Sequence, residues 1–344
     1  MPQTPTQTEA VGDTLVEIRN LQTHFFTHDG VVKAVDGVDL TVRDGRTLCI
    51  LGESGCGKSI MARSILRIVD APGRIVGGEI IYQAKDGRTV DLAAARPGSR
   101  ALREIRGSDI AMIFQEPMTS LGPIQKIGKQ ITETIHLHRK VTKAEAKEIA
   151  LDMLDRVGIP DPRRCFDSYP FELSGGMRQR AMIAMALCCQ PRLLIADEPT
   201  TALDVTTQAQ ILDLIADLKE EFGMAVMLIT HDLGVVAEVA EDVAVMYMGR
   251  VVEKGDVYSI FEKPRHPYTQ ALLKSVPRLG AAQQHRLPTI RGMVPHPLAR
   301  PSGCSFRTRC DHFMPGICDR REPELLAVDD TQAACFLYEK ELAQ

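Results

Sequence analysis

The sequence has 344 residues, 44% of them hydrophobic, which is enough for about two domains with a full-sized core. Its formal net charge of −4 provides no overall basic field and argues against nucleic acid as a partner. The longest wholly apolar run, Ala181 to Cys189, is far shorter than the ~20 residues that span a bilayer. The polar N-terminus also lacks the apolar stretch of a signal peptide, so we expect a soluble cytoplasmic protein.

The first part of the chain predicts β structure followed by a helix. Residues 1–13 are expected to be disordered, and β-rich pieces separated by turns follow them. The buried-strand pattern of Thr47–Leu51 comes directly before a helical pattern over residues 60–66. A hairpin is predicted next, with a strand at residues 79–82 and a turn at residues 86–87.

A phosphate-binding loop is predicted between that strand and that helix. Its Gly-x-x-x-x-Gly-Lys-Ser sequence consists of Gly52, Glu53, Ser54, Gly55, Cys56, Gly57, Lys58 and Ser59. The glycines allow a tight turn whose backbone N–H groups point at the phosphates, and the helix N-terminus lies at the anion. We expect Lys58 to reach the β- and γ-phosphates of ATP and Ser59 to ligate Mg²⁺.

The rest of the chain divides into three regions. Residues 126–165 predict a helical insert, within which residues 143–157 carry apolar positions at helical spacing. From Pro191 onward, strands at residues 193–196 and 225–229 flank a helix that Gly223 ends, which predicts a parallel sheet covered on both faces. Prolines become frequent after Phe261, and an irregular extension that does not continue the sheet is expected there.

Two further segments complete a nucleotide site. Asp197 and Glu198 follow an apolar strand, as Walker B carboxylates do, so Asp197 is expected to hold Mg²⁺ and Glu198 to orient the attacking water. Ser174, Gly175 and Gly176 predict a second anion-binding nest at the start of a helix. One γ-phosphate does not need two nests from one subunit, so the second nest is expected to serve ATP bound to a facing subunit.

The run Leu-Ser-Gly-Gly-Met-Arg-Gln-Arg from residue 173 resembles the signature of ATP-binding-cassette (ABC) ATPases. Gln115 then matches the Q-loop, Asp204 the D-loop and His231 the switch histidine. The resemblance implies that Gln115 touches Mg²⁺ and water, that Asp204 crosses to the opposite subunit and that His231 contacts the γ-phosphate. Phe25 and Phe26 are candidates for the adenine-stacking aromatic residue, and Phe26 is taken for that role.

The family implies an α/β fold with a P-loop NTPase core, an antiparallel β subdomain, an α-helical subdomain and an irregular Cys-containing C-terminal extension. The expected limits are 14–260 for the nucleotide-binding domain, about 100–185 for its helical part and 261–344 for the extension. The runs that begin at Gln115, Glu198, His231 and Arg265 resemble the ATPases of oligopeptide and dipeptide permeases. Gly122 departs from that subfamily, which usually has Asn there.

The resemblance implies an ATPase at the cytoplasmic face of the membrane that powers peptide import. Its expected partners are a second, distinct ABC ATPase, two transmembrane permease subunits and, indirectly, a peptide-binding protein, with no nucleic acid. The alternatives are an importer for nickel or another small solute, a soluble ABC ATPase of ribosomes or DNA, and a metal-sensing regulator.

Four cysteines of the extension, Cys304, Cys310, Cys318 and Cys335, form a separate group. Disulfides are disfavoured in the cytosol, and the tight pairs that zinc usually requires are lacking. A 4Fe-4S cluster, which some peptide-permease ATPases carry, is the preferred interpretation, with zinc and unliganded thiols as alternatives. The arginines nearby, Arg307, Arg309, Arg320 and Arg321, are expected to be solvated.

Overall fold

The computed structural model describes residues 13–115, 120–201, 204–275 and 290–339. The strands in these ranges are β1 (Thr14–Thr27), β2 (Gly30–Arg43), β3 (Thr47–Leu51), β4 (Gly73–Gln83), β5 (Thr89–Asp91), β6 (Ile110–Ile113), β7 (Leu193–Asp197), β8 (Ala225–Thr230), β9 (Asp242–Tyr247), β10 (Arg250–Asp256), β11 (Leu326–Val328) and β12 (Thr331–Ala333). The α-helices are α1 (Lys58–Ile65), α2 (Arg100–Ile105), α3 (Ile127–His138), α4 (Lys143–Arg156), α5 (Pro162–Asp167), α6 (Gly175–Leu187), α7 (Val205–Phe222), α8 (Leu233–Val239), α9 (Val257–Glu262) and α10 (Pro267–Lys274).

The strands form two sheets. The smaller sheet is antiparallel, with the order β2-β1-β4-β5. The larger sheet has the order β11-β12-β10-β9-β3-β8-β7-β6, in which the five strands from β9 to β6 are parallel. The predicted strands β3, β7 and β8 are therefore confirmed as interior strands of a parallel sheet.

Both faces of the larger sheet are covered, as the strand and helix alternation predicts. Successive side chains of a strand point to opposite faces, so β3 contributes to two different cores. Cys49 and Leu51 pack into the core that includes the helical insert, whereas Leu48 and Ile50 pack into the core beneath the antiparallel sheet. This double burial explains the continuous apolar sequence of the strand.

The helical insert consists of α3 to α6, which contact one another and join the larger core. The helix predicted over residues 143–157 is confirmed as α4, which begins with a capping box. The backbone N–H of Glu145 donates to the hydroxyl of Thr142, and the Glu145 carboxylate accepts from the backbone N–H of Thr142. Gly223 ends α7 at a φ of 60°, in the left-handed conformation that glycine adopts without strain.

The C-terminal extension does continue the larger sheet, contrary to the expectation from the sequence. The hairpin of β11 and β12 adds to the sheet through β10, where Glu253 pairs with Ala333 in antiparallel register. Each of these strands has only three residues, which is too short for a visible alternation of polar and apolar positions. The pairing of β11 and β12 with the sheet therefore depends on the edge that β10 offers rather than on a pattern in their own sequence.

The predicted domain limits stay a prediction. The β11–β12 hairpin links the extension to the sheet of the preceding region. The predicted disorder of residues 1–13 lies outside the described residues except for Asp13. Within the described ranges, no helix is long and apolar enough to cross a membrane.

Candidate functional site: a nucleotide-binding site

The phosphate loop connects the end of β3 to the start of α1, as the sequence predicts. Gly57 has a φ of 102°, and a Cβ atom there would lie 2.1 Å from the carbonyl oxygen of Ala34. Only glycine fits this position, because any side chain would meet both backbone strain and a collision. The loop is therefore held tightly against β2 and presents its N–H groups at the start of α1.

Lys58 lies inside this loop and is only 4% exposed. Its ammonium donates to the carbonyl oxygens of Gly52 at 2.7 Å and Glu53 at 3.1 Å. These bonds hold the side chain folded back over the loop, where the N–H groups and the ammonium together create a site for anions.

Ser59 and Asp197 meet across the end of the sheet. The hydroxyl of Ser59 donates to Oδ1 of Asp197 over 2.9 Å. Asp197 is 1% exposed; burial raises the pKa of its carboxyl group, and the hydrogen bond from Ser59 partly offsets this. A buried carboxylate beside a hydroxyl provides two oxygen ligands suited to Mg²⁺, whose charge would stabilise the ionised carboxylate.

Glu198 is the point where the other predicted catalytic residues converge. Its Oε2 accepts from the amide nitrogen of Gln115 at 3.0 Å, and its Oε1 lies 3.4 Å from Nδ1 of His231. The hydroxyl of Thr201 also donates to Oε2, at 2.9 Å. Glu198 has a φ of 47°, a strained conformation for a residue other than glycine, and such strain is concentrated at functional sites.

A cavity of about 530 Å³ lies over the phosphate loop. Residues 54–59, Gln115 and Glu198 line it, so the structure brings together the loop and the carboxylate that were predicted to act on ATP. Phe26 is not among the described residues that line the cavity. Its ring lies 4.1 Å from the guanidinium of Arg74. Its role as the adenine-stacking residue stays a prediction.

The signature lies apart from this cavity, on the surface. Ser174 precedes α6 and accepts a hydrogen bond from the N–H of Met177, while Ser174 and Gly175 are both exposed. Asp204 precedes α7 in the same way and is also exposed. A Cβ on Gly176 would lie 3.4 Å from the side chain of Thr207, so the two helix N-termini are neighbours. This surface is available to a second subunit.

Two residues outside the predicted set contact the phosphate loop. Arg309 is 5% exposed and donates to both carboxylate oxygens of Glu53, at 2.6 and 3.0 Å. The expectation that Arg309 is solvated is therefore wrong. The hydroxyl of Tyr268 accepts from the backbone N–H of Glu53 at 3.0 Å. Nothing in the local sequence could have identified these contacts, since each crosses more than 200 positions of the chain.

The four cysteines of the extension lie close to one another. Burial raises the pKa of the Cys335 thiol to about 12, and the electrostatic influence of Cys304, Cys310 and Cys318 adds to this shift. Burial likewise raises the pKa of Cys304, to about 11. In the described part of the chain, no group of three or more His, Cys, Asp or Glu residues is arranged to hold a metal ion.

Comparisons with known proteins agree with this geometry. Residues 35–201 match the family model described as ABC transporter, and residues 252–318 match the model described as oligopeptide/dipeptide transporter, C-terminal region.

Relatives resemble almost the whole chain. A protein of Sinorhizobium fredii named "Probable peptide ABC transporter ATP-binding protein y4tR" is 51% identical, over 95% of this chain and 96% of its own. The dipeptide transport ATP-binding protein DppD of Escherichia coli is 44% identical, over 93% of this chain and 96% of its own. The oligopeptide transport ATP-binding protein AppD of Bacillus subtilis is 46% identical, over 96% and 99% respectively.

Solved structures show the same fold. The ATP-binding cassette MJ0796, in a dimeric post-hydrolysis state bound to ADP and Pi, matches with a TM-score of 0.62 at 27% identity. The match covers 71% of this chain and 99% of that one. With relatives this similar over nearly its full length, the chain belongs to the family of ABC transporter ATP-binding proteins.

Proposed function

We propose that this chain is the ATP-hydrolysing subunit of an ABC importer for oligopeptides or dipeptides. The observation that carries the proposal is the convergence of Gln115 and His231 on Glu198, beside a complete phosphate loop. The substrate class is supported by the relatives named above, whose printed names specify peptide, dipeptide and oligopeptide transport.

The role of each residue in hydrolysis follows from its position in the site. The loop N–H groups and Lys58 bind the phosphates, Glu198 orients and polarises the attacking water, and His231 stabilises the γ-phosphate. Ser59, Asp197 and Gln115 would hold Mg²⁺, which neutralises developing charge on the phosphates. These roles use side chains fixed by mutual hydrogen bonds, so little reorganisation is needed when ATP binds.

A second subunit completes the site in this proposal. The exposed Ser174 and Gly175 and the half-buried Gly176 are placed to bind the γ-phosphate of ATP held by the partner, with Asp204 at the same interface. The partner is a second, distinct ABC ATPase. Two permease subunits hold the pair at the cytoplasmic face of the membrane, and a peptide-binding protein delivers the substrate. A single subunit is expected to hydrolyse ATP poorly.

Glu198→Gln tests the catalytic assignment. The amide retains the shape of the side chain but cannot polarise water, so ATP binding should persist while turnover falls by about a thousandfold. Binding calorimetry and phosphate release in the assembled transporter measure the two effects.

Glu220→Gln is the matched control. Glu220 is an exposed glutamate of α7, and its side chain contacts Lys219 rather than the phosphate loop. It should keep the original turnover. Brisk hydrolysis by the Glu198 variant would remove that residue from its role.

The transported solute is tested by uptake into vesicles that contain the complete transporter. ATP-dependent uptake of labelled dipeptides or oligopeptides is the expected result. Uptake of nickel without peptide would favour the alternative importer. Purification with ribosomes or DNA instead of membrane subunits would favour a soluble ABC ATPase.

A 4Fe-4S cluster on Cys304, Cys310, Cys318 and Cys335 is a separate proposal. Its support is chemical: four thiols lie within electrostatic range of one another in a segment with few regular elements, and such segments need an additional constraint. A cluster requires the thiolate forms, which burial alone disfavours, so bound iron would have to stabilise them.

Iron and sulfide analysis of anaerobically purified protein tests the cluster. About four of each per chain is the expected result, and both should be lost when the four residues are changed to serine. Bound zinc, or no metal at all, would overturn this proposal without affecting the ATPase assignment. ATPase activity that persists in the serine variant would also argue against a metal-sensing regulator.

A further inference from the structure

One wall of the nucleotide cavity comes from the C-terminal extension. Besides the phosphate loop, the residues that line the cavity include Val32 of β2 and, from the extension, Val294, Pro295, His296 and Pro297. These last four residues lie more than 200 positions from the phosphate loop in sequence, in a stretch that the assignment of catalytic residues does not use. We refer to residues 294–297 as the C-terminal wall.

The C-terminal wall is held firmly against β2. The 3₁₀ turn Pro297–Ala299 packs on that strand, and a Cβ on Gly30 would lie 3.2 Å from the side chain of Leu298. Just beyond it, the guanidinium of Arg300 donates to the carboxylate of Asp36 at 2.8 Å.

Asp36 is a strong anchor for this turn because it is itself well fixed. It also accepts from Arg250 at 3.1 Å and is 7% exposed. Although burial acts in the opposite direction, Arg250 and Arg300 lower the pKa of the Asp36 carboxyl group. The carboxylate therefore stays charged, and the segment that follows the wall stays attached to β2.

The aromatic residues predicted to contact adenine do not line the cavity of this chain. The ring of Phe25 lies against Gly73, where a Cβ would approach it to 2.6 Å. Phe26 stacks under Arg74, is 39% exposed and does not line the cavity. The described residues that line the cavity therefore include aliphatic side chains, the His296 imidazole and the cationic Lys33 and Arg300, but no phenyl ring.

The direction of the bound nucleotide follows from the phosphate loop. Glu198 and Gln115 mark the γ-phosphate end of the cavity, since they are the groups placed to act on water. The base must then lie toward β2, where Val32, Val294 and Pro295 supply apolar surface. A flat purine gains dispersion and hydrophobic contact from such a surface, and the His296 ring offers a face for stacking.

We propose that the C-terminal wall binds the base of ATP, so that the extension takes part directly in nucleotide recognition. This inference rests on the proposed function, because it assumes that the phosphate loop binds ATP. The proposed contact is made with the base of ATP, so inorganic tripolyphosphate cannot make it.

Calorimetry on the full-length chain with ATP and with inorganic tripolyphosphate tests this wall. The double variant Val294→Ala/His296→Ala removes wall atoms without adding charge. Its dissociation constant for ATP should rise by about tenfold, whereas the constant for tripolyphosphate should stay within about twofold of the original. Thermal melting of each variant verifies that the chain remains folded.

Met293→Ala is the matched control, because Met293 adjoins the wall, is 89% exposed and does not line the cavity. It should leave both constants unchanged. An unchanged ATP constant in the double variant would overturn the proposal. Lys58→Ala must weaken both ligands; if it weakens neither, the proposed function fails, which is a different result.

Discussion

Glu53 connects the phosphate loop to the C-terminal part of the chain through both its backbone and its side chain. Its carbonyl oxygen accepts from Lys58, its N–H donates to Tyr268 and its carboxylate pairs with Arg309. A bidentate ion pair of this kind fixes the relative orientation of the two side chains as well as their distance. The loop conformation therefore depends on two residues of the extension, Tyr268 in α10 and Arg309.

Arg309→Met should weaken ATP binding by loosening Glu53 while leaving the catalytic groups in place. The expected result is a rise of about tenfold in KM for ATP with kcat nearly unchanged, since a hydrogen bond to a charged group contributes about 1.5–3 kcal/mol. Steady-state ATPase kinetics of the assembled transporter measure this. Arg321→Met, which breaks an exposed pair with Glu339, is the control. Equal losses in kcat for both variants would contradict a positioning role for Arg309.

At the scale of elements, the helix N-termini determine where anions can bind. The N-terminus of α1 serves the cavity of its own chain, whereas those of α6 and α7 are exposed on another surface. Ser174 and Asp204 cap these two helices and leave further N–H groups free for a ligand. In the proposed function, the positions of these helices are the reason that a complete site needs two chains.

Gly175→Asp should strongly reduce hydrolysis without disturbing the fold. Nothing lies within 4 Å of the position of a Cβ on Gly175, and an acidic residue is favourable in the first turn of a helix. Stability should change by less than about 1 kcal/mol, while repulsion of the γ-phosphate should reduce turnover by about a hundredfold. Denaturation and phosphate release measure the two. Gly175→Ala should have a smaller effect on turnover; undiminished hydrolysis by the aspartate variant would contradict the second nest.

At the scale of the whole molecule, the extension is interlocked with the nucleotide-binding region. Phe306 is 2% exposed, and its ring lies 5.3 Å from the rings of both Tyr247 and Tyr268. The β11–β12 hairpin extends the same sheet through β10, and Arg309 reaches the phosphate loop. With this much buried contact, we expect the two regions to unfold together.

Phe306→Ala should destabilise the whole chain by about 3–5 kcal/mol, because it leaves a cavity between the two regions. Urea denaturation followed by circular dichroism measures the loss, and hydrogen exchange shows whether β10 and β12 open together. Phe313→Ala is the control, since Phe313 belongs to the same extension but is 37% exposed. Separate unfolding of the extension in the unaltered protein would contradict the interlocked arrangement.

Much of the nucleotide site was predictable because its residues belong to continuous motifs. The strand and helix beside residues 52–59, the strand before Asp197 and the helix after Ser174 all carry local signals in the sequence. Their convergence is then a consequence of strand order, since the carboxyl ends of neighbouring parallel strands meet at one edge of a sheet. The contacts of Arg309 and Tyr268 with Glu53 carried no such signal.

The amino-acid sequence by itself determined the family and the parallel core and predicted which groups bind phosphate and act in catalysis, because short-range spacing encodes each of these. The tertiary structure alone decided how the extension is attached. Whether Arg309 is solvated or buried, whether residues 326–333 join a sheet, and which side chains line the cavity depend on surfaces brought together from distant parts of the chain. Packing between such surfaces leaves no periodic pattern in a single sequence, which is why only the folded arrangement reveals it.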